Sequence, residues 1–318
     1  MTLQELLAQH AQRATSSVPD WMLGFFKRYS ISFANGTTDL HTHVCWLQSR
    51  NFTIDLRLPL AADQAPAKPL DELTAAELGV LANNEGWAAR SDWDGVALSW
   101  RPTDVSLQLH NRWPEPAILK RIGNCMVEFC ESDAYVEDWR LQPSRPGPLI
   151  GLQLIEEREV ATGTVRHRGG GLIVCGDYAA LVLGRSAPIE TGDDVPLKTL
   201  VAQAGSSVKR LQQLFNFETS VAHGSLSTGF GVMLSTQPAR LGQPLFPLNG
   251  FEYVPANNVV HQLFDVGGMQ VERTFSIDTL EPNVSFDQTT CFSSSALQWF
   301  EKESPTLDRY TAPLYKNL

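Results

Sequence analysis

Apolar and polar positions alternate one by one along most of this chain, and that period of two, rather than a helical period, sets the expected elements. The stretch "VSLQLHNR" (105–112) places Val105, Leu107 and Leu109 on one face and Ser106, Gln108 and His110 on the other. "FTIDLRLP" (52–59) opposes Phe52, Ile54, Leu56 and Leu58 to Thr53, Asp55 and Arg57. "GVALSWRP" (95–102) opposes Val96, Leu98 and Trp100 to Ala97, Ser99 and Arg101. Two runs, "GLIVCGD" (171–177) and "YAALVLGR" (178–185), are apolar almost throughout, which predicts strands buried on both faces or a hairpin. Further strands are expected at 215–222, 229–235, 259–266 and 269–276. Helix is expected at 2–13 and 71–83, each opened by capping-box spacing (Thr2 with Glu5, Thr74 with Glu77). It is also expected at 197–214, interrupted at Gly205-Ser206-Ser207, and near 294–302. Many short strands with few helices predict antiparallel barrels or sandwiches.

A degenerate internal repeat divides the chain in two. "VCWLQSRNFTIDLRLP" (44–59) resembles "VEDWRLQPSRPGPLIGLQLIEE" (136–157), with Trp46 matched to Trp139. The next strands of the two halves close on Arg101 and Arg185. The implied units are an N-terminal helical segment (1–34), a first barrel (35–131), a second barrel (132–279) and a C-terminal extension (280–318).

Composition narrows the function. Of the 318 residues, 43% are hydrophobic and 19% charged, so the chain can bury a sizeable core. A net charge of −10, with no basic stripe longer than "VRHRGGG" (165–171), argues against nucleic-acid binding. No run of eighteen apolar residues predicts a membrane span, and "MTLQELLAQHAQRA" is not a secretion signal. The five cysteines (45, 125, 130, 175 and 291) form no CxxC pair, which predicts free thiols in a reducing, cytoplasmic setting.

The order "IDLRLP" (54–59), "GNCMVEFCESDAYVEDW" (123–139), "GGLIVCGDYAALVLGR" (170–185) and "VAHG…GVMLSTQPARLGQPL" (221–245) resembles the lipocalin-like two-barrel family whose fungal member interacts with a casein-kinase-type protein kinase, and its bacterial relatives. Glu128, Tyr135, Glu137, Trp139, Gly184 and Arg185 occupy the matching places, and Arg121 stands where that pattern has an acidic residue. The resemblance spans roughly residues 40–275. It implies an all-β fold of two consecutive lipocalin-like (calycin) antiparallel barrels, with a short N-terminal helix and a C-terminal extension. It implies no defined biochemical activity.

Barrels of this kind turn alternate side chains inward. On "YVEDWRLQ" (135–142) the face with Trp139 and Leu141 also carries Tyr135 and Glu137, and on "CMVEFC" (125–130) Glu128 shares a face with Met126 and Cys130. A carboxylate inside a barrel must be paired, hydrogen-bonded or protonated, so these residues are either a structural ion-pair network or acid/base groups. The candidate catalytic residues are Glu137, Tyr135, Glu128 and His110. The candidate ligand-binding residues are Arg57, Arg101, Trp100, Trp139, Trp87 and Arg185. "RWPEPAI" (112–118), with Trp113, is suited to a pocket rim or lid. "HTHVCWLQ" (41–48) sets His41, His43 and Cys45 on one face, but it lacks further ligands, and inward-facing tryptophans would turn that face away from the cavity. The glycines at 169–171 open a strand rather than a helix, which is not a phosphate loop; GxSxG, HExxH and EF-hand patterns are absent. Two functions stay open. One is a barrel for an apolar or aromatic small molecule, working as a cofactor-independent lyase, isomerase, cyclase or hydratase, with homo-oligomerisation left open. The other is a non-catalytic protein-interaction module.

Overall fold

The computed structural model describes residues 1–100, 105–191, 195–290, 294–295, 298–299 and 301–306. Arg101 and Cys291 lie outside them. The fold is all-β, built as two antiparallel sheets laid against each other. The first contains β1 (Gly24–Phe33), β2 (Thr38–Asp39), β3 (Thr42–Gln48), β4 (Phe52–Pro59), β5 (Glu85–Trp93), β6 (Ala97–Trp100), β7 (Ala117–Ile122), β8 (Cys125–Cys130) and β9 (Tyr135–Leu141). Neighbours in this order pair, except that β3 skips the two-residue β2 to pair with β1. Strand β9 returns to β1, from Phe26 opposite Leu141 to Phe33 opposite Tyr135, and closes an eight-stranded barrel.

The second sheet contains β10 (Gly147–Glu159), β11 (Val165–Cys175), β12 (Tyr178–Arg185), β13 (Glu218–Ser225), β14 (Gly229–Ser235), β15 (Phe251–Val254), β16 (Val259–Val266) and β17 (Met269–Val284). Its order is β14-β13-β12-β11-β10-β17-β16-β15, and among the described residues its edge strands do not pair with each other. Its own core is filled by Leu3, Leu6 and Leu7 of α1 (Leu3–Gln9) together with Phe230, Phe246, Phe251 and Phe275.

The local signals explain these elements. Both expected capping boxes form: Glu5 and Glu77 accept from the backbone N–H of Thr2 and Thr74, whose hydroxyls accept in return. Helix α1 is shorter than expected because Gln12 leaves it to bridge Leu280 of β17. The second helix, α2 (Ala75–Leu81), follows a short 3-10 turn. Gly205, at φ 54°, divides the third helical stretch into α3 (Leu197–Ala204) and α4 (Val208–Leu214).

The apolar runs at 171–185 form the β11–β12 hairpin, turned at Gly176-Asp177, and are buried on both faces. Leu172, Val174, Ala179 and Leu181 face the second core, whereas Ile173, Cys175, Ala180 and Val182 face the first barrel. Phe52, Ile54, Leu56 and Leu58 of β4 meet them there. A Cβ on Gly86 would lie 2.5 Å from the Thr219 hydroxyl, so glycine lets β5 and β13 approach.

Three expectations change. Strand β1 lies within the 1–34 segment expected to be helical, and β9 falls beyond the 131 boundary expected for the first barrel. The repeat fails because Trp46 and Trp139, assigned to different barrels, occupy the same one with ring centroids 5.6 Å apart. Residues 105–112 are not a strand: beyond one bridge from Ser106 to Trp87 they bend into the β6–β7 connection.

Candidate functional site

The pleat of β4 is the key to the barrel interior. Its apolar face is covered from outside by the second sheet, so Thr53, Asp55 and Arg57 are turned inward. Strand β5 likewise sends Glu85, Trp87 and Ala89 inward, and β9 sends Tyr135, Glu137 and Trp139. With Trp46 of β3, Trp100 of β6 and Glu128 of β8 they enclose a cavity of about 250 Å³. The β6–β7 connection covers this end of the barrel and adds Gln108, His110, Arg112 and Trp113. An adjoining hollow of about 190 Å³ shares Arg57, Glu85 and Trp113 with it.

Aromatic rings form most of the apolar wall. Trp46 meets Trp100 and Trp139 edge-on at 6.2 and 5.6 Å, and Trp87 meets Trp100 at 5.7 Å. Trp113 stands edge-on to Tyr135 at 6.0 Å, with the Arg57 guanidinium 4.4 Å from its ring centre.

The polar wall consists of linked carboxyl groups. Arg57 Nε donates to Asp55 Oδ1 at 3.0 Å. Arg28 Nη1 donates to Glu137 Oε1 at 2.7 Å, and its Nη2 reaches Asp39 at 2.7 Å. Glu85 accepts from Arg112 Nη1 at 3.0 Å and from Trp113 Nε1 at 3.0 Å. Glu128 lies directly across the β8–β9 ladder from Glu137, accepting from Trp139 Nε1 at 3.0 Å and Tyr135 OH at 3.4 Å.

Burial, reinforced by the charge of Glu137, pushes the Glu128 carboxyl well above the usual carboxylate range, so it keeps its proton. Burial pushes Asp55 up to about 6 against the opposing pull of Arg57. Burial, then the two glutamates, also raise Tyr135, which stays a neutral hydroxyl.

Four polar atoms of cavity-lining residues are buried with no hydrogen-bond partner: Arg57 Nη1, Trp100 Nε1, Gln108 Oε1 and His110 Nδ1. The Gln108 amide orientation is fixed, because its Nε2 donates to the carbonyls of Ala82 and Asn84 at 2.9 and 2.7 Å.

Glu137, Tyr135, Glu128, His110, Arg57, Trp100, Trp139 and Trp87 thus line one cavity. Arg185 does not. It projects from β12 toward the same connection from outside, donating to the carbonyls of Ser106 and Leu107 at 2.8 and 2.7 Å and to Leu214 at 3.0 and 2.7 Å. Arg101 lies outside the described residues.

Sequence reasoning missed Asp55, Glu85 and the counter-ion Arg28. Asp55 was visible in the same alternation as Arg57. Arg28 meets Glu137 only through barrel closure, 109 positions away. His43 and Cys45 alternate with inward-facing Trp46 and so point away from the cavity. Arg121 is buried elsewhere, donating to the carbonyls of Trp21, Gly123 and Phe286 at 2.8, 3.0 and 2.6 Å. Among the described residues no group of three or more His, Cys, Asp or Glu side chains is placed to hold a metal ion, and no helix is long and apolar enough to cross a membrane.

No protein-family model matches this chain, and no curated protein matches it. Among solved structures the chain is similar to the crystal structure of an uncharacterized protein from Saccharomyces cerevisiae. The two are 12% identical, with a TM-score of 0.39, over 78% of this chain and 96% of that one.

Proposed function

We propose that the first barrel binds one small, largely aromatic molecule in its interior and moves a proton on it without a cofactor, as a lyase, isomerase, cyclase or hydratase would. The observation that carries this is the concentration of unpartnered buried polar atoms in the residues of one aromatic-walled cavity. Each such atom costs about 1–3 kcal/mol unless something supplies its hydrogen bond, and a ligand in the cavity can supply several at once. At about 250 Å³ the space is slightly smaller than common drug-sized pockets, consistent with a compact ligand.

The acid/base assignment follows from two carboxyl environments. Asp55, pushed up to about 6, is set to accept or return a proton near neutral pH. Glu128, raised by burial and by the neighbouring Glu137, is the protonated acid, and Glu137 is paired with Arg28. Tyr135, bonded to Glu128, is a neutral donor at the edge of that pair.

The test is purification from the natural cell followed by native mass spectrometry, in parallel with Ala89→Phe, which puts a ring into the cavity. The wild type is expected to carry an excess mass that leaves on denaturation. The filled variant is expected to lack it while melting close to the wild type, within about 1–3 kcal/mol of overpacking. Identical spectra, together with equal quenching of tryptophan fluorescence by 1-naphthol in both proteins, would sink the proposal.

A further inference from the structure

The wall of the cavity specifies more than an aromatic guest. Its ionised groups are already matched within the protein: Asp55 with Arg57 at 3.0 Å, Glu85 with Arg112 at 3.0 Å and Glu137 with Arg28 at 2.7 Å. An organic anion or an ammonium ion would have to break one of these pairs or be buried without a counter-ion. Either course costs several kcal/mol. The face of Trp113, where a cation would otherwise stack, is already covered by Arg57. Glu128, kept protonated by burial and by Glu137, adds no unmatched charge.

A hydrocarbon fits no better. Arg57 Nη1 and Trp100 Nε1 can only donate, so the guest must offer acceptors. Gln108 Oε1 can only accept, so the guest must also offer a donor. His110 Nδ1 serves either role according to its tautomer. The edge-on tryptophans Trp46, Trp87, Trp100 and Trp139 suit a flat ring system. The 250 Å³ of space has room for one or two fused rings.

Building on the small-molecule reading of this cavity, we infer that its ligand is an uncharged, planar, conjugated compound whose edge carries both hydrogen-bond acceptors and a donor, the class of aromatic lactams and hydroxyaryl carbonyl compounds. Arg57 and Trp100 hold the acceptors, and Gln108 takes the donor.

The experiment titrates the full-length protein with five bicyclic probes of similar size, read by quenching of tryptophan fluorescence. They are 2-quinolone, N-methyl-2-quinolone (donor blocked), naphthalene (no polar edge), 2-naphthoate and 2-naphthylmethylammonium. The lactam is expected to bind about tenfold more tightly than its N-methyl analogue, the difference one buried hydrogen bond makes. Naphthalene and both ions are expected to bind more weakly still. Trp100→Phe keeps a ring and removes the N–H, and is expected to weaken 2-quinolone more than naphthalene; if that variant does not fold, the comparison among probes in the wild type still decides. Naphthalene binding as tightly as 2-quinolone, or either ion binding most tightly, overturns the uncharged polar class and leaves the cavity as a small-molecule site. Binding of none of the five overturns the small-molecule reading as well, and this inference with it.

Discussion

The four carboxyl groups around the cavity resolve the same problem in different ways. Asp55, Glu85 and Glu137 each keep an arginine, whereas Glu128 keeps its proton. This makes Glu128→Gln informative, since the amide can mimic the protonated acid, donating to Glu137 and accepting from Trp139. The sign follows from linkage. The folded-state value of Glu128 is raised above its ordinary 4.5, so the folded chain binds more protons than the unfolded one between those values, and wild-type stability falls as pH rises through that window. The variant has no such loss. Relative to wild type it is expected to be near neutral at pH 4 and progressively more stable at higher pH, by up to about 1.4 kcal/mol per pH unit inside the window. Urea melts of both proteins across the pH range check this; a difference independent of pH would place the proton elsewhere. At this scale alternation made Glu128, Tyr135, Glu137 and Trp139 legible, because the apolar members of their strands truly face inward. On β4 it set Asp55 and Arg57 on one face without fixing which face turns in; the second sheet covers the apolar face, so the polar one does. No local pattern could announce that covering sheet, since it comes from residues more than 100 positions downstream.

Among the elements, the β6–β7 connection departs furthest from its sequence pattern. Residues 105–112 alternate like a strand, yet only the bridge at Ser106 pairs their backbone with β5, through Leu107 N–H to Gly86 at 2.9 Å and Ala88 N–H to Val105 at 3.1 Å, and Arg185 takes the carbonyls of Ser106 and Leu107. Alternation records which side chains are buried, not which backbone groups pair, so a well-tethered loop can carry the same pattern. Arg185 is therefore a positioning residue that ties the second sheet to the covered end of the first barrel. Burial among carbonyls, without a carboxylate partner, pushes its guanidinium down to about 10. Arg185→Ala leaves those acceptors unpaired and is expected to destabilise the protein by about 3 kcal/mol. Beyond the global loss, hydrogen exchange is expected to accelerate selectively in residues 105–113 and near Leu214. Exchange that quickens evenly over both sheets would mean that Arg185 contributes only general stability.

At the level of the whole molecule, the two sheets share one apolar cluster, in which Ile173, Cys175, Ala180, Val182 and Val221 of the second pack with Phe52, Ile54, Leu56 and Leu58 of the first. Buried polar ties cross the same boundary. Arg50 donates to both oxygens of Glu281 at 2.8 and 2.9 Å, and Ser49 donates to Asp278 at 2.6 Å. Two consecutive antiparallel units were readable from the chain, but their boundaries and the apolar cluster they share were not. The strand that opens the first barrel lies within the segment expected to be helical, and the hairpin at 171–185 is apolar on both faces because it serves both cores. Neither sheet can then lose the other without exposing that cluster, so both are expected to unfold in one transition. The chain supplies the reporter: seven of its eight tryptophans precede residue 140, in or beside the first barrel, whereas far-ultraviolet circular dichroism reports strands of both sheets. Denaturation curves followed by the two signals should coincide in the wild type. Arg50→Ala removes one partner of a buried pair and should lower the common midpoint by an amount equivalent to about 3–5 kcal/mol. Fluorescence and dichroism curves that separate in the wild type would show that the sheets fold independently and that the shared cluster does not couple them.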